Sequence, residues 1–370
     1  MAEIKTSTHF HELPVSRVTP EAAGAVAISF AVPASLRDAF KYEPGQFLTL
    51  RAQIGTEDVR RSYSICSPLA RYRDSGELEV GIRPMRGGLF SNWAATAIKV
   101  GDRLPVMPPD GRFVSKRPRA IHRVGFAAGS GITPILCIIA TSLQEQIDSK
   151  FTLVYGNRSM ASVMFNEALQ DLKDRFADRL TLIHILSRQA QEVDLLQGRI
   201  DAAKVKALVA ALLPASSMDE VFICGPEAMI EATQSALLEC GVPSRNIHTE
   251  RFSSPLLEAM PKDRRAAATT QLRPATAGAI ALEVTLDGKQ HSLQMRADEH
   301  VLDVALAAGL DLPFSCKAGV CCTCRAKVTD GTVVMDRNFT LESWEIDKGF
   351  VLTCQARPTT ASIAISFDER

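Results

Sequence analysis

The rhythm of apolar and polar positions changes twice along the chain. Over residues 8–116, short alternating runs such as Gln46–Leu50, Ser62–Ile65 and Leu78–Ile82 are set off by turn residues at Pro44-Gly45, Ser75-Gly76 and Pro108–Gly111. Closely spaced strands of this kind predict a small antiparallel β-barrel, with one helix after Gly87-Gly88. Over 117–252 the pattern becomes apolar strand, turn and long amphipathic stretch: Arg123–Ala127 then Pro134–Gln146, Phe151–Tyr155 then Phe165–Phe176, Leu182–Leu186, and Val221–Cys224 then Ala228–Cys240. That alternation predicts an α/β doubly wound parallel sheet. Periodicity is lost over 253–278, where Pro, Ala and Thr mix with Lys262, Arg264, Arg265 and Arg273, as in an interdomain linker. The last segment, 279–370, opens with a strand at Ile280–Leu286, a turn at Asp287-Gly288, a second strand through His291–Met295 and a helix around Val301–Ala308. No internal repeat is visible.

Composition narrows the function classes. The 370 residues are 46% hydrophobic and 23% charged, a globular balance that excludes a peptide hormone, a fibre or a disordered tail. Lys+Arg and Asp+Glu both number 42, so bulk charge selects neither nucleic acid nor an anionic membrane as partner. From 279 onward, 13 acidic residues face 9 basic ones, leaving the remainder positive; electron-transfer modules that dock transiently show such complementarity. Met1–Leu13 lacks a basic region followed by an apolar run, and the greasiest stretch, Val124–Thr141, is broken by Gly129, Ser130, Gly131 and Pro134. A soluble, non-secreted, cytoplasmic protein is expected.

Nine cysteines are an odd number for a disulfide framework, and four of them, Cys316, Cys321, Cys322 and Cys324, crowd together. In a reducing compartment such crowding points to metal. The spacing Cys316-x4-Cys321-x2-Cys324, completed by Cys354 after 29 residues, is that of a plant-type [2Fe–2S] loop. Two irons need four converging thiolates; Gly319, free to take positive φ, suits a loop curled around them, and N–H groups aimed at the sulfurs would raise the potential. Zinc or buried free thiols are the alternatives, although zinc sites usually pair two Cys-x2-Cys knuckles and only one is present. Cys322 falls out of register and is expected not to be a ligand. With Pro313–Cys324 and Leu352–Gln355, the segment resembles a plant-type ferredoxin, which implies a β-grasp fold.

Arg61-Ser62-Tyr63-Ser64 lies on a barrel strand, so Arg61 and Tyr63 share one face and Ser64 turns to the other. Cation, ring and hydroxyl suit a pyrophosphate, a flavin face and a flavin N5 edge; the plainer alternative is an exposed strand face. Gly87-Gly88-Leu89-Phe90-Ser91 leads into a helix whose N-terminus would favour a phosphate, the alternative being a glycine turn with a serine cap. Together the two motifs resemble the FAD domain of the ferredoxin–NADP reductase family. The resemblance implies FAD binding by Arg61, Tyr63, Ser64, Gly88 and Ser91, with Gly87, Ile82 and Arg83 nearby. Gly129-Ser130-Gly131-Ile132-Thr133-Pro134 follows an apolar strand and opens a helix, placing Gly129 and Gly131 against a diphosphate and Thr133 as cap, with Pro134 in the first turn. Pro replaces the third glycine of the usual fingerprint, the form expected in that family. Cys224-Gly225-Pro226 ends a strand at the edge where doubly wound sheets bind ligands. The family's C-G-P motif implies that Cys224 stands beside the nicotinamide at the hydride-transfer point; a buried core thiol is the alternative. Ser187-Arg188 and Asn157-Arg158 offer hydroxyl and guanidinium groups where an acidic residue would bind the ribose of NADH, so NADPH is expected, with Arg158, Ser187 and Arg188 on its 2′-phosphate and NADH as the alternative. Phe252 matches the aromatic that in this family covers the other flavin face, with core packing the alternative.

The order of the segments, with Arg60–Ser67, Leu153–Arg158, Leu195–Asp201 and Cys321–Arg325, resembles the reductase-subunit family of the bacterial phenylacetyl-CoA epoxidases. The resemblance implies hydride transfer from NAD(P)H to FAD, with Ser64 and Cys224 at the reacting atoms. Single electrons would then pass through the cluster to a di-iron oxygenase in phenylacetate degradation. Reductases of other di-iron or Rieske oxygenases, acting on steroids, alkanes or aromatics, are similar, and an iron–sulfur redox sensor or adaptor is a third reading.

Overall fold

A computed structural model describes residues 9–115, 121–252 and 279–369. The boundary expected at 116/117 and the linker expected over 253–278 lie outside the described residues. Phe10–Glu250 form one compact unit and Arg251–Arg370 belong to a second.

The first unit opens with six antiparallel strands, β1 (His11–Pro20), β2 (Val26–Ala31), β3 (Phe47–Ile54), β4 (Glu57–Ser64), β5 (Glu77–Ile82) and β6 (Arg103–Val106), in the order β4-β3-β6-β1-β2-β5. A bridge between Ile65 and Val80 joins the two outer strands and curls the sheet into a barrel. Alternation fills its interior: Leu48 and Leu50 from β3, Ile28 and Phe30 from β2, and Leu78, Val80 and Ile82 from β5 are all fully buried. Helix α1 (Leu69–Ser75), too short for its periodicity to show in the sequence, ends at Gly76 in the left-handed conformation. Helix α2 (Leu89–Ala97) follows Gly88, as expected, and buries Phe90 and Ala94, one turn apart.

The parallel sheet of the same unit comprises β7 (His122–Ala128), β8 (Lys150–Asn157), β9 (Leu180–Leu186), β10 (Glu220–Cys224) and β11 (Ile247–Glu250), in the order β11-β10-β7-β8-β9. Helices α3 (Ile132–Glu145) and α4 (Asn166–Arg175) cover one face with Phe151, Leu153 and Tyr155. On the opposite face, α5 (Ala202–Ala211) and α6 (Glu227–Glu239) pack over Val124, Phe126 and Val154. The doubly wound arrangement matches the sequence pattern, with β11 and α5 added. Thr133 is not the helix cap: Gly129–Gly131 already forms a 3-10 turn that runs directly into α3 at Ile132. Its hydroxyl instead donates to the Ser130 carbonyl at 3.0 Å.

At the amino ends of β7 and β10, Arg123 and Glu220 form an ion pair at 3.1 Å with 0% and 1% of their side chains exposed. Gln146 Oε1 accepts from Arg123 Nη1 at 2.8 Å, and Ser115 Oγ donates to Glu220 at 2.6 Å.

The second unit holds a five-stranded sheet of order β13-β12-β18-β14-β16, built from β12 (Ile280–Leu286), β13 (Lys289–Met295), β14 (Arg325–Asp330), β16 (Phe350–Leu352) and β18 (Ser362–Ser366). Strands β12 and β18 run parallel, whereas the other neighbours are antiparallel. Strands β15 (Val333–Met335) and β17 (Ala356–Pro358) form a separate ladder. A helix at Val301–Ala307 turns Val301, Leu302 and Ala305 into the core, giving the expected α+β module. Among the described residues, no helix is long and apolar enough to cross a membrane.

Removing one member of a buried ion pair strands the other charge. Glu220→Ala is therefore expected to destabilise the first unit by about 3–5 kcal/mol, read from the urea-unfolding transition by circular dichroism; an unchanged transition would refute this account of the pair.

Candidate functional site

Pairing of β3 with β4 sets Arg61 and Tyr63 opposite Leu50 and Leu48, on the barrel face, and turns Ser64 to the other side. Arg61 is exposed and its Nη1 donates to the Arg60 carbonyl at 2.7 Å. The Tyr63 ring lies 5.6 Å from that of Phe90, the second residue of α2. Gly88 occupies the N-cap of that helix after Gly87 at φ +74°, and the buried Ser91 accepts a bond from the Met85 N–H at 3.2 Å. Free N–H groups at this helix start fit an anionic group. The Ile82 side chain belongs to the barrel core. Arg83, one residue on, carries its guanidinium to 2.9 Å from where a Cβ on Gly129 would stand.

The glycine turn meets the end of β10 at that edge. A Cβ on Gly131 would stand 2.1 Å from the Cys224 carbonyl oxygen and 2.9 Å from the Gly225 nitrogen, so only glycine fits. Pro226 caps α6. Ser187 and Arg188 follow β9 and donate their backbone N–H groups to the Asn157 and Arg158 carbonyls at 3.0 and 2.8 Å. This brings the exposed Arg158 and Arg188 together at the carboxyl edge. Phe252 is 44% exposed and falls in the second unit.

One residue at this edge escaped the sequence analysis. Glu250 ends β11 in register with the wholly buried Cys224, and Ser64 Oγ donates to its Oε2 at 3.2 Å across 186 residues of sequence. Loss of water raises the Glu250 pKa from its ordinary 4.5 to about 8, and the Ser64 bond opposes only part of that rise. Burial, with Glu250 as a second cause, pushes the Cys224 thiol well up. Ser64, Cys224 and Glu250 thus meet where β4 approaches the parallel sheet. A four-residue strand, Ile-His-Thr-Glu, carries too little pattern to be seen in advance.

In the second unit the cysteines gather in pairs. Cys316 and Cys321 are in hydrogen-bonding contact, as are Cys324 and Cys354. The N–H of Ala318 points at Cys316 Sγ at 3.3 Å, and that of Cys316 at Cys321 Sγ at 3.5 Å. The Cys316 thiol is held below the ordinary thiol range, first by the Cys321 thiol and then by the N–H groups of Ala318, Val320 and Cys321. Lys317, Gly319 and Cys322 all take positive φ, and this curls the loop. Cys322 instead pairs its sulfur with Thr340 Oγ1 at 2.9 Å and packs in the apolar core. Among the described residues, no three or more His, Cys, Asp or Glu gather around a single-ion site; two thiol pairs with N–H groups aimed at sulfur suit a two-iron cluster.

A barrel and a doubly wound sheet sharing one buried seam, together with a module bearing paired thiols, define a flavin- and nicotinamide-dependent reductase with an iron–sulfur module. Family models agree segment by segment: residues 13–114 match the oxidoreductase FAD-binding domain, 126–235 the oxidoreductase NAD-binding domain and 284–359 the 2Fe-2S iron-sulfur cluster binding domain. The chain is 43% identical to a subunit of the 1,2-phenylacetyl-CoA epoxidase of Escherichia coli (strain K12), over 98% of this chain and 99% of that one. It is 38% identical to the 3-ketosteroid-9-alpha-monooxygenase ferredoxin reductase component of Mycobacterium tuberculosis (strain CDC 1551 / Oshkosh), over 98% and 97%. Phthalate dioxygenase reductase shares the fold, with TM-score 0.58 and 19% identity over 97% of this chain and 98% of that one. The chain belongs to the family of FAD-, NAD- and 2Fe-2S-binding reductase components of oxygenases that includes these relatives.

The raised Glu250 pKa has a pH signature. Between 4.5 and about 8 the folded chain keeps a proton that the unfolded chain has released, so stability falls as pH rises through that window. From pH 7 to 8 the wild type is expected to lose up to about 1.4 kcal/mol and Glu250→Gln to lose none of this component, measured by urea unfolding at each pH; parallel profiles would refute the assignment.

Proposed function

We propose that this protein takes hydride from NADPH and delivers electrons singly to the di-iron oxygenase component of a phenylacetyl-CoA epoxidase, in the cytoplasm. The observation that carries the reductase reading is the meeting of Ser64, Cys224 and Glu250 beside the glycine turn. End-to-end likeness to a component of such an epoxidase supports the acceptor. When bound, FAD and the cluster supply the conversion of a two-electron donor into one-electron steps.

The chain's own residues bind, orient and shield. Arg61 and the start of α2, with Gly87, Gly88 and Ser91, would hold the FAD pyrophosphate, while Tyr63 would lie on the flavin ring and Ser64 would face its N5 edge. Ile82, through its backbone, and Arg83 would complete that site. Gly129 and Gly131 admit a diphosphate to the backbone, and Thr133 steadies the turn from within α3. Arg158, Ser187 and Arg188 would take the 2′-phosphate, and Cys224, Gly225 and Pro226 would seat the nicotinamide. Glu250 would hold a proton on its carboxyl next to Ser64 Oγ, leaving the buried seam without a fixed negative charge below about pH 8. Cys316, Cys321, Cys324 and Cys354 would ligate the cluster. This reading divides the chain into an FAD module (8–116), a nicotinamide module (117–252), a linker (253–278) and a ferredoxin module (279–370).

Two measurements test it. Arg188→Ala is expected to raise the KM for NADPH roughly ten- to hundredfold, the worth of a charge-assisted hydrogen bond, with little change for NADH; equal effects would sink the 2′-phosphate role. Reconstitution with NADPH and purified phenylacetyl-CoA oxygenase is expected to give epoxide above the no-reductase background. Cytochrome c reduction without epoxide would preserve the reductase reading and reject this acceptor.

A further inference from the structure

Gln355 follows Cys354 in the turn between β16 and β17, and only 6% of it is exposed. Its backbone closes that turn by donating to the Leu352 carbonyl at 2.8 Å. Its side chain runs in the opposite direction, toward the loop that carries the other three paired cysteines. There Nε2 lies 3.2 Å from the Lys317 carbonyl, 2.8 Å from the Cys354 carbonyl and 3.7 Å from Cys354 Sγ. Room for it exists because residue 319 is glycine: a Cβ there would stand 3.3 Å from Gln355 Cγ. Burying an amide is costly unless its polar atoms are met, and this one places its donors on the two cysteine-bearing segments.

The Lys317 carbonyl and the Ala318 N–H belong to one planar trans peptide and point in opposite directions. Gln355 holds the carbonyl end, and the N–H end points at Cys316 Sγ at 3.3 Å. Lys317 sits at φ +50°, where a non-glycine residue is strained and an unsupported peptide would tend to turn. With its two hydrogens on the Lys317 and Cys354 carbonyls, the side chain orients the N–H donor to Cys316 and lies beside Cys354 Sγ.

We infer that Gln355 is a positioning residue for the [2Fe–2S] cluster: it fixes the 317–318 peptide, so that the Ala318 N–H stays aimed at Cys316 Sγ and raises the reduction potential. The inference rests on the cluster reading given above, and on the rule that N–H groups directed at cluster sulfur stabilise the reduced, more negative form.

The test uses the full-length holoprotein and the variants Gln355→Met and Gln355→Leu, which keep the bulk and remove the donors. Midpoint potentials and g-values come from a redox titration followed by electron paramagnetic resonance. Stopped-flow reduction of the flavin by NADPH serves as a control that Gln355 does not touch. Both variants are expected to disfavour cluster reduction about tenfold, 59 mV for one electron, with shifted g-values and unchanged flavin reduction. Should either variant purify with a partial cluster, iron and sulfide are restored first and the potential is read on the reconstituted chain. Wild-type potentials and g-values in both variants would overturn the inference. A wild-type chain that cannot be loaded with a reducible cluster would instead overturn the cluster reading on which it stands.

Discussion

The close approach of two backbones at Gly131 and Cys224 is the constraint on which the catalytic seam depends. With a Cβ excluded at 131, the glycine turn lies against the end of β10, and both strand ends open at one edge of the parallel sheet. Pulling that contact apart would separate the turn proposed to take the diphosphate from the residues proposed to seat the nicotinamide. Two further consequences follow. Helix α3 starts directly out of the turn, leaving Thr133 inside the helix to brace it. Strand β11, paired to β10, sets Glu250 beside Cys224 and within reach of Ser64 from the barrel. A chain that transfers hydride needs two ring systems held face to face in a dry place, and this seam supplies the fixed geometry and the low dielectric together.

The iron–sulfur module solves a different problem with the same economy of backbone. Four thiols in a small space repel one another as they ionise, so N–H groups must face them. The loop provides these by running through left-handed conformations at Lys317, Gly319 and Cys322. Only one of the three is glycine, so the loop is held from outside by Gln355 on the Lys317 carbonyl and by Thr340 on Cys322. A sulfur-rich loop of this kind gets its shape from the residues packed around it as much as from its own sequence.

Much of this was legible before the structure. The barrel and the doubly wound sheet follow from periodicities of two and near 3.6, whereas in the third module the pattern shows only the two opening strands and the helix, and the β-grasp was implied by the resemblance to plant-type ferredoxins. Cys316-x4-Cys321-x2-Cys324 is informative because few other sites need three thiolates at those spacings. Some elements were not legible: α1 and β11 are short with few apolar positions, α5 is Ala-rich with no distinct polar and apolar faces, and the start of α3 differs from the expected one because a 3-10 turn and a cap look alike in sequence.

By itself, the sequence determined the kinds of module, the cofactor chemistry and which cysteines could act together, because spacing and periodicity are local properties of a chain. Tertiary structure alone decided that Glu250 lies next to Ser64 with its pKa raised by burial, that Cys322 turns to Thr340 and that Gln355 reaches back to Lys317. Those facts join residues 186, 18 and 38 positions apart. Proton affinity and hydrogen-bond direction depend on which distant groups displace water from a site, and no local pattern records that.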